Sequence, residues 1–454
     1  MAFLQLRPAR PRMLAGMAVL CTLWVLGACS PHVKLYPELE KLTAGGKYAE
    51  GLALVEKSVK EYGETNEVLY HLDRGVLLQL AGKYTESNQA FASAEQRMEE
   101  LYTESITGNV AAFALNDNTL PYRGADYELV MVNIFQALNY TLLGQIDEAL
   151  VEARKVDVKL NEMNSHYEEG QKNVYNEDAF ARLLMGIFYE VGGSRDDLND
   201  AYISNKLATG IYRKNFTANY NVDAPALLGS NLLATAAFMG PQETEEAKQL
   251  YPGHPSVSLN AKRELGQVVF IHMAGKSPVK VEKAVRIPTT DGNRIKVAYP
   301  EYTTRGYHIT GSRVVVQGGA GTTLEVGEPV GAIAKENLKN QWGRIQAKAI
   351  ARATSKYAAN RALQREARER KGAAALLGFV AGNVYAEVSE QADLRAWQTL
   401  PNTILIGRTL LPPGTHRLSV EFTGNGGNTL DRKDLGEITI NGGETRFFLY
   451  RSIR

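Results

Sequence analysis

The first half of the chain repeats a local pattern in which two helix-length apolar segments meet at a glycine. The pattern occupies residues 44–59, 72–96, 134–156 and 181–208. In the last three copies, a small residue stands seven positions before the turn glycine and a bulky one stands four before it. These triplets are Gly75, Leu78 and Gly82; Ala137, Tyr140 and Gly144; and Gly186, Tyr189 and Gly193. The small residue leaves room for a second helix, so the pattern predicts a series of helical hairpins.

This arrangement resembles a tetratricopeptide array, whose repeat has a period of about 34 residues. The turn glycines are Gly46, Gly82, Gly144 and Gly193, at intervals of 36, 62 and 49 residues. Only the first interval fits that period, and we interpret residues 106–130 as a loop-rich insertion that leads into a helix near Tyr127. A plain bundle of helical hairpins without repeat ancestry is the alternative. Both interpretations predict helix from residue 34 to about residue 240.

The pattern changes where three prolines interrupt the helical spacing between residues 241 and 255. Short β-branched runs follow, separated by glycine-rich turns, and these runs predict antiparallel strands. Asn441-Gly442 is typical of a tight hairpin turn, and Asp291-Gly292 is a second turn signal. Because strand-like runs stand on both sides of residues 331–391, we expect one β-sandwich-like domain interrupted by a helical hairpin.

A chain of 454 residues is longer than one ordinary domain. We therefore predict an α+β fold with a tetratricopeptide-like helical repeat domain at 29–240 and a β-rich domain at 265–454. Residues 241–264 are the expected linker, and the helical hairpin insertion is expected at about 331–391.

The N-terminus has the layout of a secretory signal, because three arginines within the first 12 residues precede a short apolar run that ends in Gly27-Ala28. The sequence Leu-Gly-Ala-Cys resembles the lipobox of bacterial lipoproteins, which implies that residues 1–28 are removed and that Cys29 carries lipid. Several acyl chains on one cysteine are enough for stable anchoring. Ser30, rather than aspartate, resembles the signal for the outer membrane. The alternative is an ordinary cleaved signal with an incidental Cys29.

The predicted insertion is strongly basic, with ten Lys or Arg and two acids between residues 339 and 371. Arg344, Lys348, Arg352 and Lys356 recur at every fourth position, which predicts a cationic stripe on one helix face. One interpretation is contact with anionic lipid headgroups, glycan phosphates or an acidic partner. The other is a solvated charged face whose neighbouring apolar segment, 372–388, packs on the strands.

The composition argues against several classes of function. Lys plus Arg number 51 against 50 Asp plus Glu, so we predict no nucleic-acid partner. The seven histidines fall in no metal-ligand spacing, and no nucleophile can be paired with a base. We therefore predict no metal, no cofactor and no catalytic residue, and a role in recognition rather than turnover.

Two further stretches, 121–154 and 393–404, combine with the lipobox and the α-then-β layout to resemble a family of poorly characterised proteobacterial outer-membrane lipoproteins. That family has a tetratricopeptide-like N-terminal half, and the resemblance implies a membrane anchor, a periplasmic scaffold and no known chemistry. The residues that match the first motif are Tyr122, Gly124, Glu128, Asn139, Glu152 and Arg154. Those that match the second are Asp393, Arg395, Trp397, Leu400 and Pro401. Either set binds a partner or locks the fold, and for the last three residues we favour packing.

Together these observations predict a lipid-anchored scaffold at the periplasmic face of the bacterial outer membrane. Its helical repeats are expected to present a concave surface to an envelope protein, in envelope assembly or maintenance. The alternative is a peptidoglycan-linked enzyme or an activator of a cell-wall synthase. For that alternative we expect a polar cluster in a cleft between the two domains.

Overall fold

A computed structural model of the chain describes residues 34–107, 117–165, 173–289, 294–319, 321–369 and 390–454. Four predicted features therefore lie wholly or partly outside the described residues. They are the signal segment 1–28 with Cys29, residues 108–116 of the loop-rich insertion 106–130, the Asp291-Gly292 turn, and the apolar segment 372–388 of the predicted hairpin.

The N-terminal half is helical, as predicted. Its helices are α1 (Tyr36–Ala44), α2 (Tyr48–Lys57), α3 (Val59–Tyr62), α4 (Glu67–Leu80), α5 (Tyr84–Thr107), α6 (Asp126–Leu142), α7 (Ile146–Ser165), α8 (Ala179–Gly192), α9 (Arg195–Ile211), α10 (Thr217–Tyr220), α11 (Ala226–Met239), α12 (Pro241–Leu250) and α13 (Leu259–Glu264). A turn of π-helix at Tyr212–Phe216 joins α9 to α10.

The four predicted turn glycines lie between successive helices. Gly46, Gly82, Gly144 and Gly193 have φ values of 72°, 77°, 74° and 70°, a left-handed conformation that glycine adopts without steric cost. The small residues are also where close packing requires them. A Cβ atom on Gly75 would lie 2.5 Å from Cε1 of Phe91 on the next helix.

The segment 241–264 is not the linker that we expected, because α12 and α13 occupy most of it. Pro241 is the first residue of α12, where the missing N–H costs no hydrogen bond. Ser258 caps α13 by accepting a hydrogen bond from the backbone N–H of Ala261. The prolines thus mark the ends of short helices, and the helical part of the chain extends to Glu264.

The C-terminal half consists of strands with a helical insertion, as predicted. The strands are β1 (Gly266–Ala274), β2 (Val279–Pro288), β3 (Arg294–Thr303), β4 (Gly311–Val316), β5 (Thr322–Thr323), β6 (Glu325–Glu328), β7 (Thr403–Leu411), β8 (Gly414–Thr423), β9 (Thr429–Ile440) and β10 (Thr445–Ser452). The insertion between β6 and β7 contains α14 (Val330–Asn340) and α15 (Trp342–Glu369).

The strands form two four-stranded sheets and one ribbon. The first sheet has the order β10-β1-β7-β6, the second has the order β5-β4-β8-β9, and β2 and β3 form the ribbon. Two expectations were wrong here. Strand β10 pairs with β1 in parallel, and the Asn441-Gly442 turn carries the chain from the second sheet to the first instead of closing a hairpin. The cause is that β9 pairs with β8 and leaves β10 to complete the other sheet.

One apolar core joins the helices to the first sheet. Strand β1 is buried along its whole length. Its residues Val269 and Ile271 belong to the core of the helices, whereas Val268 and Phe270 belong to a cluster shared with the second sheet. Such burial on both faces explains the nearly continuous apolar sequence of this strand. The boundary that we predicted between two domains is therefore crossed by packed side chains.

Candidate functional site

The two motifs singled out in the sequence meet in a single hydrogen-bond network. Glu128 on α6 is fully buried. Its carboxylate accepts hydrogen bonds from the Tyr122 hydroxyl at 2.5 Å, the Ala125 backbone N–H at 2.9 Å and the Trp397 backbone N–H at 2.8 Å. A buried carboxylate requires such donors, because it has lost its hydration. The first motif thus binds the backbone of the second.

Arg395 extends this network to the loops of the helical half. Its guanidinium donates to the carbonyl oxygens of Leu120 and Asp117, each at 2.8 Å, and to the carboxylate of Asp393 at 2.8 Å. It also lies 5.2 Å from the centre of the Tyr122 ring. Arginine suits this position because its planar guanidinium group has several hydrogen-bond donors and can stack on the face of an aromatic ring.

Trp397 packs among aromatic side chains of the helices, as the packing interpretation predicts. It is fully buried, with its ring centre 5.9 Å from that of Phe91 and 5.5 Å from that of Phe135. Its indole N–H donates to the Thr399 hydroxyl at 2.8 Å, and that hydroxyl donates to Asp73 at 2.8 Å. Burial raises the pKa of Asp73 to about 6.

The residues that we expected to bind a partner are mostly inside the protein. Tyr122, Glu128, Asn139 and Glu152 are all buried. The Asn139 side chain accepts a hydrogen bond from Gln79 and donates one to Asn88, each at 2.8 Å. It therefore links α6 to α4 and α5. These four side chains are therefore placed to lock the helices together, because each is buried and has its partners inside the protein.

Glu152 belongs to a second polar cluster, which joins α5, α6 and α7. It accepts a hydrogen bond of 2.8 Å from the Asn133 amide, which also donates to Glu95 at 2.9 Å. Lys159 forms ion pairs with Glu95 and with Glu99. Gly124, another candidate from the first motif, has φ +78°, and a Cβ atom there would clash with Cε of Met98.

Arg154 is the exception among these candidates, because its side chain is exposed on α7. Its Nε atom donates to the Tyr189 hydroxyl at 3.0 Å, and its guanidinium lies 5.2 Å from the centre of that ring. Val151 and Val158, one turn away on either side, are 50% and 64% exposed. We call Val151, Arg154 and Val158 the α7 patch.

The basic stripe of the insertion lies on α15, but it does not form the free cationic surface that we considered. Lys348 and Arg352 both pair with Asp117, and Arg352 also pairs with Glu390 at 2.8 Å. Lys356 pairs with Glu390 at 3.1 Å. Only 3% of the Arg352 side chain is exposed. Each of these three residues pairs with an acid of the same chain, whereas Arg344 lines a cleft.

This cleft, with a volume of about 590 Å³, lies between α15, the ribbon and the loops that carry both motifs. We call it the basic cleft, because six of its lining residues are Lys or Arg and two are Asp. These residues are Arg123, Lys280, Arg344, Lys348, Arg352, Arg395, Asp117 and Asp393. Apolar side chains, which include Leu101, Leu120 and Ile345, complete the walls. The sequence did not single out Arg123 or Lys280, because neither belongs to a periodic pattern.

No protein-family model, curated protein or solved structure matches this chain. Among the described helices, none combines the length and apolarity needed to cross a membrane. Within the same described ranges, no group of three or more His, Cys, Asp or Glu side chains is placed to hold a metal ion.

Two buried charged or polar clusters were missed at the sequence level. Glu190 on α8 pairs with Lys262 at 2.9 Å and with Arg408 on β7 at 3.0 Å, so an ion-pair triad lies between the helices and the first sheet. His272 on β1 bonds the hydroxyls of Ser312 and Ser452 at 2.9 and 2.7 Å. The members of each cluster are far apart in the sequence, so the spacing of neighbouring residues does not predict either cluster.

Proposed function

We propose that this chain is a lipid-anchored scaffold of the bacterial outer membrane, which faces the periplasm and binds an envelope protein through its helical half. The anchor is lipid on Cys29, and the sequence Leu-Gly-Ala-Cys behind a cationic leader supports it. The role is recognition in envelope assembly or maintenance.

The observation that carries the binding proposal is the α7 patch. Arg154 is held against Tyr189 between two exposed valines. Hot spots of protein interfaces are enriched in arginine and tyrosine, and Arg154 with Tyr189 supplies both beside exposed apolar surface. The partner therefore contacts the exposed face of α7, and the buried motif residues keep that face rigid.

We also propose a finer description of the fold. The glycine-linked helical pairs are tetratricopeptide-like, since Gly75 and Gly186 occupy positions where the neighbouring helix packs against the missing Cβ. The two four-stranded sheets form a sandwich, supported by the apolar cluster that they share. The extra segments between the helical pairs account for the irregular spacing of the repeats.

The first experiment compares the full-length protein with its Cys29→Ala variant in a Gram-negative host. The wild type is expected in the outer-membrane fraction with a lipid-dependent mass increase, and the variant is expected in the soluble periplasmic fraction. Identical fractionation of the two proteins would refute the anchor.

The second experiment tests the α7 patch by placing a photo-crosslinking amino acid at Val158 or, as a control, at Leu430. Both side chains are well exposed, 64% and 47% respectively, but Leu430 lies on β9 in the second sheet. We expect one discrete crosslinked envelope protein from position 158, lost when Arg154→Glu is added, and none from position 430. Equal crosslinking from both positions contradicts the patch.

A second candidate function is favoured by the basic cleft. A polar cluster between the helical half and the strands is the feature expected of a peptidoglycan-linked enzyme or a synthase activator, and six cations with two acids line this cleft. Measuring cell-wall synthesis with the purified protein added to a synthase separates an activator from a scaffold, because only an activator increases the rate.

A further inference from the structure

The basic cleft combines two kinds of wall. On α15, Arg344 and Lys348 are one helical turn apart, and Ile345 lies beside them. Leu101 on α5 and Leu120 in the loop before α6 contribute apolar side chains. A volume of about 590 Å³ is within the range of sites that enclose a small organic ligand. The cleft therefore offers charge and apolar contact to one small molecule.

The positive charge of the cleft exceeds what its own acids balance. Asp117 pairs with Lys348 and Arg352, and Asp393 pairs with Arg395. Arg123 instead lies 5.6 Å from the centre of the Tyr102 ring, and Lys280 donates to the Arg395 carbonyl at 2.9 Å.

Six cations and two acids line the cleft. Burial alone would raise the pKa of the Asp393 carboxyl, but Arg395 and then Lys280, which lies close enough to act on it, lower that pKa. A cleft whose walls carry surplus cations concentrates anions from solution.

From these observations we propose that the basic cleft binds a small amphiphile with one acyl chain and an anionic carboxylate or phosphate headgroup. Arg123 and Lys280 provide charge for the headgroup, since arginine and lysine donate strong hydrogen bonds to such oxyanions. Leu101, Leu120 and Ile345 provide the contact for the chain. This ligand site goes beyond the proposed scaffold function and does not require Cys29 or the α7 patch.

The test uses a series of dodecyl compounds that differ only in the headgroup. Calorimetry with the purified mature protein, below the critical micelle concentration, compares dodecanoate and dodecyl phosphate with dodecanol and dodecyltrimethylammonium. We expect the two anions to bind at least about tenfold more tightly than the neutral and cationic compounds, because only an anion gains charge-assisted hydrogen bonds. The ratio between the two anions shows which headgroup the site prefers.

Variants locate the site. Arg123→Gln and Lys280→Gln are each expected to weaken dodecanoate binding about tenfold, whereas Arg154→Gln, which removes a cation from the α7 patch, leaves it unchanged. Thermal unfolding without ligand checks that the variants fold, and unfolding with each anion reports binding, since a bound ligand raises Tm. Absence of anion binding, equal binding of dodecanol, or equal affinity in all three variants would overturn the proposal. The crosslinking result at Val158 is independent of each of these outcomes.

Discussion

The backbone N–H of Trp397 donates a hydrogen bond of 2.8 Å to Oε1 of Glu128, a residue 269 positions earlier in the chain. This bond links the segment before β7 to the start of α6. Because Glu128 also accepts from the Tyr122 hydroxyl and the Ala125 N–H, one carboxylate satisfies donors from two distant segments of the chain.

Replacing Glu128 by leucine is expected to lower the free energy of unfolding by about 3 kcal/mol or more, because three buried or partly buried donors lose their acceptor. Urea denaturation followed by circular dichroism measures the change. Glu245→Leu, at an exposed position on α12, is the control and should behave like the wild type. Equal stability of both variants would mean that water replaces the carboxylate.

Glu190→Gln is expected to destabilise the protein by about 3–5 kcal/mol, because Lys262 and Arg408 remain buried without a counter-charge. Glu246→Gln is the matched control. This variant breaks an exposed ion pair, in which the side chains of Lys206 and Glu246 are 48% and 43% exposed. Little change in the free energy of unfolding is therefore expected. Chemical denaturation of both variants provides the comparison, and a similar loss in each contradicts the role of the buried triad.

His272 makes the protein sensitive to acid. Burial, assisted by the nearby charge of Arg451, lowers the pKa of His272 to about 3 from its usual 6.5. The unfolded chain therefore binds a proton between pH 6.5 and 3 that the folded chain does not, so the histidine lowers stability as the pH falls through this window. In His272→Gln the decline of Tm with falling pH should be shallower. If the Tm of the wild type and that of the variant fell in parallel with pH, the prediction would be wrong, because His272 would then titrate in the folded protein as it does in the unfolded chain.

Asp73 has the opposite effect on how the stability depends on pH. Its pKa is raised from 3.8 to about 6 by burial, so between these values the folded state holds the extra proton and stability falls as the pH rises. Asp73→Asn is expected to remove this contribution, which is about 2 kcal/mol between pH 4 and pH 6. The measurement is the slope of unfolding free energy against pH, and an unchanged slope contradicts the assignment.

Two helical glycines should respond oppositely to alanine. At Gly75 the added Cβ would lie 2.5 Å from Phe91, so Gly75→Ala forces that ring to move and is expected to destabilise the protein. At Gly210 nothing lies within 4 Å of the added atom, so Gly210→Ala is expected to stabilise α9 by about 0.5–1 kcal/mol. Thermal melts compare both with the wild type. A shift of the same sign in both refutes close packing at Gly75.

Local features could be predicted from the sequence because they depend on neighbouring residues. The turn glycines require a left-handed φ, and the change from helical spacing to β-branched runs marks the change from helices to strands. Gly75 was identified as a packing position by its distance from Gly82. The helical half and the insertion between strands follow from such patterns.

The candidate site was less predictable, because its contacts join distant segments. Lys348 meets Asp117, which is 231 positions away, and no spacing along α15 indicates that partner. The parallel pairing of β10 with β1 likewise depends on which edge of the sheet is open. The two motifs were found separately, but their meeting at Glu128 required the fold.

The pairing of β10 with β1 also bears on how the chain is made. Thr445–Ser452 leaves the ribosome after all the other helices and strands described above, and it supplies an edge strand to the sheet on which the helices pack. A product that ends before Thr445 leaves the hydrogen-bonding groups along one side of β1 without their strand partner. Only a chain that includes β10 can finish this sheet, so products shortened before Thr445 are distinguished by their failure to fold, and proteases can remove them.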